Sequence, residues 1–234
     1  SSTGNISCGG NISSLLTNST EPLLDLTGRN SAFICLFENM NTLIKAPILP
    51  ATTLSWYCYF SMFKGTSIIE LPELPATNLA KYCYSYLFYG CKSLRLPQEF
   101  VLPATNLVDD CYSYMFMDSG IVGFAPSEML PATTLKENCY KYMFANTHLL
   151  RTPSLDATTL ASSCYQSMFE GCEYLDIVVY GCISKEPQYN YCSHWLERVK
   201  STGIFYYKSH ATWDPSYVTR GGNSIPANWT LATY

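Results

Sequence analysis

The sequence has little charge of either sign. Only 14% of the 234 residues are Asp, Glu, Lys or Arg, and the formal net charge is -4. The chain therefore has no basic surface with which to neutralise phosphates, and we do not expect it to bind nucleic acid. No stretch approaches the roughly 18 consecutive apolar residues that a membrane helix requires. Insertion of this segment into a membrane is not expected either.

Residues that carry out catalysis are scarce or unfavourably spaced. The chain has only three histidines, His148, His194 and His210, and none shares a repeat phase with a nucleophile or a carboxylate. No Gly-rich phosphate-binding loop follows a predicted strand. The eleven cysteines include no Cys-x-x-Cys pair of the kind that holds zinc. We therefore expect no enzymatic activity, no metal and no cofactor.

What the sequence does contain is an internal repeat, the sign of a solenoid. Five copies open with Leu-(Pro/Asp)-Ala-Thr and continue to a Cys-Tyr pair and a Phe, and they begin at Leu49, Leu74, Leu102, Leu130 and Leu155. Consecutive starts are 25, 28, 28 and 25 residues apart, which is within the leucine-rich-repeat range. A degenerate copy covers about residues 26–48, as expected for a terminal repeat.

Each copy is predicted to form one helical segment and one short parallel strand. In the second full copy the apolar residues Leu79, Cys83 and Leu87 lie four residues apart, a spacing typical of one helix face. The preceding Ala-Thr-Thr or Ala-Thr-Asn would cap the helix, and Gly65, Gly90 and Gly171 would end it. The predicted fold is an α/β leucine-rich-repeat solenoid of about six repeats.

Three regions follow from this pattern. Residues 1–25 form a polar N-terminal segment or cap, 26–182 the solenoid, and 183–234 a small α+β cap, because the repeat pattern stops near Ile183. In the cap, Tyr191, Trp195 and Val199 predict an amphipathic helix and 204–208 a strand.

The combination Leu-Pro-Ala-Thr with Cys-Tyr-x-x-Met-Phe-x-Gly-Cys resembles the BspA-like leucine-rich repeats of surface proteins of gut Bacteroidales and of their phages. The resemblance covers about residues 26–182. It implies an extracellular or cell-surface adhesin without catalytic residues, or a component of a virion tail, and a host or bacterial surface protein or glycan as the partner. The oligomeric state stays open.

The cysteines follow the repeat. Five of them share one phase on the apolar face, namely Cys58, Cys83, Cys111, Cys139 and Cys164, and two more alternate with Thr or Ser in a second phase. This exchange indicates small buried side chains and not thiolate chemistry. Cys8 and Cys35 lie near one end, and Cys182 and Cys192 near the other, so disulfides in the caps stay open.

The candidate binding residues come from strand alternation. We take one residue in each repeat as a register mark, at positions 40, 66, 91, 119, 147 and 172. The residue three positions after the mark is always apolar and is predicted to point inward. These residues are Leu43, Ile69, Leu94, Val122, Leu150 and Leu175. The positions on either side of it vary and are predicted to form two outward columns on the concave face. Their candidate ligand-binding residues are Ile44, Glu70, Arg95, Arg151, Asp176, Ile68, Ser93, Ile121, Leu149 and Tyr174.

A fixed core with one variable face is the usual layout of a binding solenoid. The sequence therefore predicts an extracellular binding protein for a protein or glycan ligand. A phage receptor-binding component and a structural spacer without its own ligand are the alternatives.

Overall fold

The computed structural model describes residues 4–182, 189–212 and 225–234. Its regular elements are short. The strands are β1 (Ile6–Ser7), β2 (Leu43–Lys45), β3 (Val122–Phe124), β4 (His148–Leu155), β5 (Ile177–Tyr180), β6 (Ile204–Tyr207) and β7 (Thr230–Thr233), and the helices are α1 (Ser14–Thr17), a 3-10 turn (Ser127–Met129) and α2 (Tyr189–Cys192).

The chain winds as a solenoid, mostly of parallel β structure, with few helices. Strands β3 to β7 form one parallel sheet in sequence order, and β1 pairs in parallel with β2. Between these two sheets, Glu70 and Arg95 form a single parallel bridge. Each strand comes from a different coil, so the strands stack along the solenoid axis, as predicted.

A second ladder runs through the Ala-Thr-Thr and Ala-Thr-Asn segments. Thr53 bridges in parallel to Asn78, and Thr134 bridges to both Asn106 and Thr159. The predicted role of these residues as helix caps is therefore wrong, because they pair with the neighbouring coil instead.

The helical segments predicted within the repeats are also wrong. In the coil from Leu49, Met62 donates its backbone N–H to the carbonyl of Tyr59, three residues back (3.2 Å), whereas Phe63 donates to Leu87 in the next coil (3.1 Å). This alternation repeats through the copies. The segment is a run of tight turns, whereas an α-helix would bond every N–H four residues back within its own coil.

The backbone explains how apolar residues four positions apart arise without a helix. Every fourth residue of a turn segment is left-handed, as at Tyr57 (φ 57°), Ser61 (φ 53°) and Gly65 (φ 69°). A four-residue turn repeat is close to the 3.6-residue helical period, so apolar spacing alone cannot separate the two. We call these segments (about 56–65, 81–90, 109–118, 137–146 and 162–171) the turn face.

Identical side chains stack between coils to form the core. Rings of Phe63, Phe88, Phe116, Phe144 and Phe169 follow one another with centroids 5.5–5.8 Å apart, and a parallel file of tyrosines runs beside them. The five cysteines of the first phase are buried with them, as predicted. In the second phase, Thr66 Oγ1 lies 3.4 Å from Cys91 Sγ, which explains why Thr and Cys exchange there.

The predicted inward register is wrong in three of the six repeats. The buried residues are Leu43, Leu94 and Leu175 as expected, but Ile68, Ile121 and Leu149 instead of the residues that follow them. In the first group one more tight turn precedes the strand: Leu43, Leu94 and Leu175 donate their N–H groups to Met40, Cys91 and Cys172. That turn uses one extra residue, so the strand starts one position later.

The ladder continues beyond the predicted boundaries at both ends. Tyr165 donates to the carbonyl of Tyr191 (2.9 Å) and Phe169 to that of Trp195 (3.0 Å), and His194 and Arg198 are left-handed. The predicted helix over 191–199 is therefore wrong beyond α2. Residues 183–188 and 213–224 of the predicted C-terminal cap lie outside the described residues. At the other end, β1 extends the sheet beyond β2.

All eleven cysteines fall within the described residues and carry thiols. The termini are held to the solenoid by backbone pairing and burial, since Ile12 and Trp229 are both buried. The disulfides that the sequence left open at either end are not formed.

Candidate binding surface on the sheet face

The ten predicted ligand-binding residues divide into two groups. Ile68, Ile121 and Leu149 are completely buried in the core and cannot touch a ligand. Their assignment as outward residues is wrong, because the strands of these repeats start one position earlier than the register mark predicts. The other seven reach the surface: Glu70, Arg95, Ser93 and Tyr174 are exposed, and Ile44, Arg151 and Asp176 are half-buried.

Correcting the register places other apolar residues on the surface. Val122 and Phe124 are 56% and 54% exposed, Tyr174 is 54% exposed, and Ile69 and Leu150 are exposed as well. We call the outer side of residues 69–70 and 93–95 and of strands β3 to β7 the sheet face, and we include Tyr174, whose ring contacts His148 of β4. Val122 and Phe124 are two residues apart on β3, so their exposed side chains lie on the same face of the sheet.

The sheet face is held in a fixed geometry by strand register. Phe124, Arg151, Ile177, Ile204 and Thr230 are paired one to the next across β3 to β7 and form one column across the sheet. Four of these five residues, all but Arg151, were not among the predicted site residues. Phe124 was missed because the register mark placed the core position at Val122, and Ile204 and Thr230 because the region after Ile183 was treated as a cap.

Charges on this surface are of both signs. Lys200 Nζ lies 2.6 Å from Asp176 Oδ2, and Lys208 Nζ lies 3.4 Å from Asp156 Oδ1. Near them, the phenol of Tyr234 has its pKa raised by burial and by the Asp156 carboxylate, so the hydroxyl stays protonated and can donate a hydrogen bond. Polar and charged groups with apolar residues interspersed are typical of protein–protein interfaces.

The turn face has aromatic residues too, but they are used differently. Tyr86 stacks on Tyr114 with centroids 4.4 Å apart, and Tyr114 stacks on Tyr142 at 4.9 Å. The ring faces cover one another, and burial raises the pKa of Tyr114. Since a sugar ring needs a free aromatic face for stacking, this file of tyrosines supports the fold more than it offers a binding platform.

Among the described residues, no three His, Cys, Asp or Glu side chains cluster as a metal site. Of the described helices, none is both long and apolar enough to cross a bilayer.

No protein-family model matches the chain, and no curated protein and no solved structure gives a significant match.

Proposed function

We propose that this chain is an extracellular binding protein that recognises a protein or glycan ligand through the sheet face. The observation that carries the proposal is the exposure of Val122 and Phe124 on strand β3, and of Tyr174 in the turn before β5, beside strands that are held in one sheet. Rigid presentation lowers the entropy lost on binding, because the ligand-contacting side chains are already positioned.

The resemblance of the repeats to BspA-like leucine-rich repeats supports a location at the cell surface, or in a virion tail where the same modules would contact a host. Both locations require the same properties of this chain, namely a stable scaffold and a variable outer surface. The two differ in what flanks the module and in its oligomeric state.

A structural spacer is the second candidate, and one observation favours it. The stacked phenylalanines run through five successive coils without interruption, which makes the solenoid a stiff unit able to hold another domain at a distance. A spacer would need no exposed apolar residues on its sheet, and this is why we rank it second.

The test is binding of the purified chain to an array of glycans and extracellular proteins. We expect the variant Val122→Ser/Tyr174→Ser to lose binding. The matched control is Trp56→Ser, which removes an equally exposed aromatic residue (60% exposed) from the turn face and should bind as the parent does. No binding by the parent on a broad array would favour the spacer, and equal loss in the control would exclude the sheet face as the site.

A further inference from the structure

One cavity opens on the C-terminal half of the sheet face. Its volume is about 330 Å³, at the lower end of the range of roughly 300–1,000 Å³ seen for small-ligand pockets. Three adjacent strands and the C-terminal residue contribute to it. The lining residues are Arg151, Ser154, Ile177, Val179, Tyr206 and Tyr234.

Strand pairing explains why these residues meet although they are far apart in sequence. Ser154 pairs with Val179, and Val179 pairs with Tyr206, so the three lie side by side on β4, β5 and β6. Arg151 pairs with Ile177 in the neighbouring column. Tyr234 is brought in by its backbone N–H, which donates to the carbonyl of Tyr207 (3.1 Å).

Arg151 lines this cavity, and its side chain is half-buried. Its Nε is buried and has no hydrogen-bond partner among the described residues. Since that atom is covered by the protein, a ligand in the cavity can bond to Arg151 only through the terminal Nη groups of its guanidinium. An arginine side chain in this situation fits a carboxylate, which it can bind through two parallel hydrogen bonds.

Two acids that flank strands β4 and β5 are already paired with lysines. Asp156 pairs with Lys208 and Asp176 pairs with Lys200, and no carboxylate of the described residues forms an ion pair with Arg151. Arg151 is the only charged side chain among the six residues that line the cavity. The site therefore favours an anionic ligand over a neutral one.

The other residues in and beside the cavity restrict the class of ligand that fits it. Tyr206 and Tyr234 contribute aromatic rings, and the Lys208 ammonium lies 4.8 Å from the centroid of the Tyr234 ring, which helps to fix that ring. Ile177 and Val179 provide an apolar floor, and the Ser154 hydroxyl can both donate and accept. Aromatic rings, hydroxyls and an arginine together suit a ring that has C–H groups on one side, hydroxyls on the other and a carboxylate.

We propose that this cavity binds the carboxylate-bearing ring of an acidic sugar, with Arg151 holding the carboxylate and the tyrosine rings packing against the sugar C–H groups. The inference rests on the proposed binding function and names the ligand class for one part of the sheet face.

The experiment is a titration of the purified chain, followed by calorimetry or by saturation-transfer NMR, with four separate probes. N-acetylneuraminic acid and glucuronic acid test the acidic sugar, galactose tests a neutral sugar, and N-acetylalanine tests a carboxylate without a sugar ring. We expect at least one acidic sugar to bind about tenfold or more tightly than galactose and N-acetylalanine, because only it combines the ring with the charged hydrogen bonds.

Two variants and one control locate the binding. Arg151→Gln should weaken the binding of the acidic sugar by about tenfold or more, and Tyr206→Leu should weaken it while leaving Arg151 in place. Arg29→Gln removes an exposed arginine that lies outside both the sheet face and the cavity lining and should have no effect. A thermal melt of each variant shows that it is folded, and Tyr206→Leu carries the test if Arg151→Gln does not fold.

Three results would overturn the proposal: galactose binding as tightly as the acidic sugars, N-acetylalanine binding as tightly as they do, or unchanged affinity in both cavity variants. Failure here differs from failure of the proposed function. Array binding that depends on Val122 and Tyr174, together with no binding of the acidic sugars, would discard this cavity while keeping the sheet face as the binding surface.

Discussion

The ring of Phe116 stacks on that of Phe144, with centroids 5.5 Å apart and planes 16° from parallel. Phe88 covers its other face at 5.8 Å, so Phe116 is enclosed by identical rings from the two neighbouring coils. The stability of the solenoid should therefore depend on this file of rings more than on any surface residue.

Phe116→Ala should lower the free energy of unfolding by about 3–5 kcal/mol, because it removes a buried ring and leaves a cavity between two others. Arg95→Ala, on the exposed sheet face, should change it by no more than about 0.5 kcal/mol. Urea unfolding of both variants followed by circular dichroism measures the difference. Equal losses would contradict the assignment of Phe116 to the core.

The corrected strand register makes a second prediction for two adjacent residues. Ile121 is fully buried and Val122 is 56% exposed, although both are β-branched and apolar. Ile121→Ala should cost about 2–5 kcal/mol, whereas Val122→Ala should cost no more than about 0.5 kcal/mol. The same urea titration applies, and a larger loss for Val122→Ala would restore the register expected from the sequence.

The left-handed backbone of the turn face predicts that replacing Gly90 with alanine lowers the stability of the chain. Gly90 has φ 70°, and a Cβ there would come no closer than 3.9 Å to Gly65, so the penalty is one of backbone conformation alone. Gly90→Ala should lower stability by about 1 kcal/mol, because an L-residue is disfavoured in the left-handed region. Gly9→Ala is the control, since Gly9 is not in the left-handed region and nothing lies within 4 Å of its added Cβ.

In the Gly90→Ala comparison, the measured quantity is the shift in urea midpoint relative to the parent. A midpoint for Gly90→Ala equal to that of Gly9→Ala would mean that position 90 is not left-handed. An α-helix through residues 81–90 would give the opposite sign, because alanine stabilises a helix relative to glycine.

Thiol reactivity provides a fourth prediction. Burial raises the pKa of Cys58 and of Cys111 to about 12, and that of Cys91 to about 11. At about pH 8 these groups are protonated in the folded chain, and only a thiolate attacks a disulfide reagent. We therefore expect the nine buried cysteines to resist labelling, while exposed Cys35 and half-buried Cys8 react.

The direction with pH follows from the raised values. Increasing the pH towards 10 should not recruit the thiols of Cys58, Cys91 or Cys111, because they ionise only near their raised pKa values or after unfolding. Mass spectrometry after native labelling counts the modified sites, and labelling in guanidinium gives the total. Rapid native labelling of Cys83 or Cys139 would contradict the buried ladder.

The core could be read from the sequence because of repetition. Cys58, Cys83 and Cys111 hold the same phase in successive copies, and a residue that recurs at a fixed phase in a solenoid must meet its own equivalent in the next coil. The repeat does not identify the outward columns in the same way. Ile68 and Ile69 are chemically identical, and nothing local tells which of them faces the core.

The cavity could not be predicted from the sequence for a related reason. Arg151 was identified as a surface residue, but its partners Tyr206 and Tyr234 come from the region in which no repeat is visible. Trp195 accepts the backbone N–H of Phe169 as Met168 accepts that of Phe144, so Trp195 takes the place of a methionine and the ladder persists there although the sequence pattern has been lost. Backbone hydrogen bonds do not depend on side-chain identity. The sheet therefore continues through a region whose sequence no longer shows the repeat.

The sequence by itself determined that the chain stacks as a solenoid, that the repeated Cys, Tyr and Phe side chains lie in its core and that these cysteines are structural, because these features depend on composition and period. The tertiary structure alone decided that the segments between strands are runs of turns, which of two neighbouring residues faces outward, and which distant side chains share a cavity. These features depend on hydrogen bonds between coils such as that from Phe63 to Leu87. Such bonds compete with the local helix and fix the strand register, and their partners are set only when the coils have stacked.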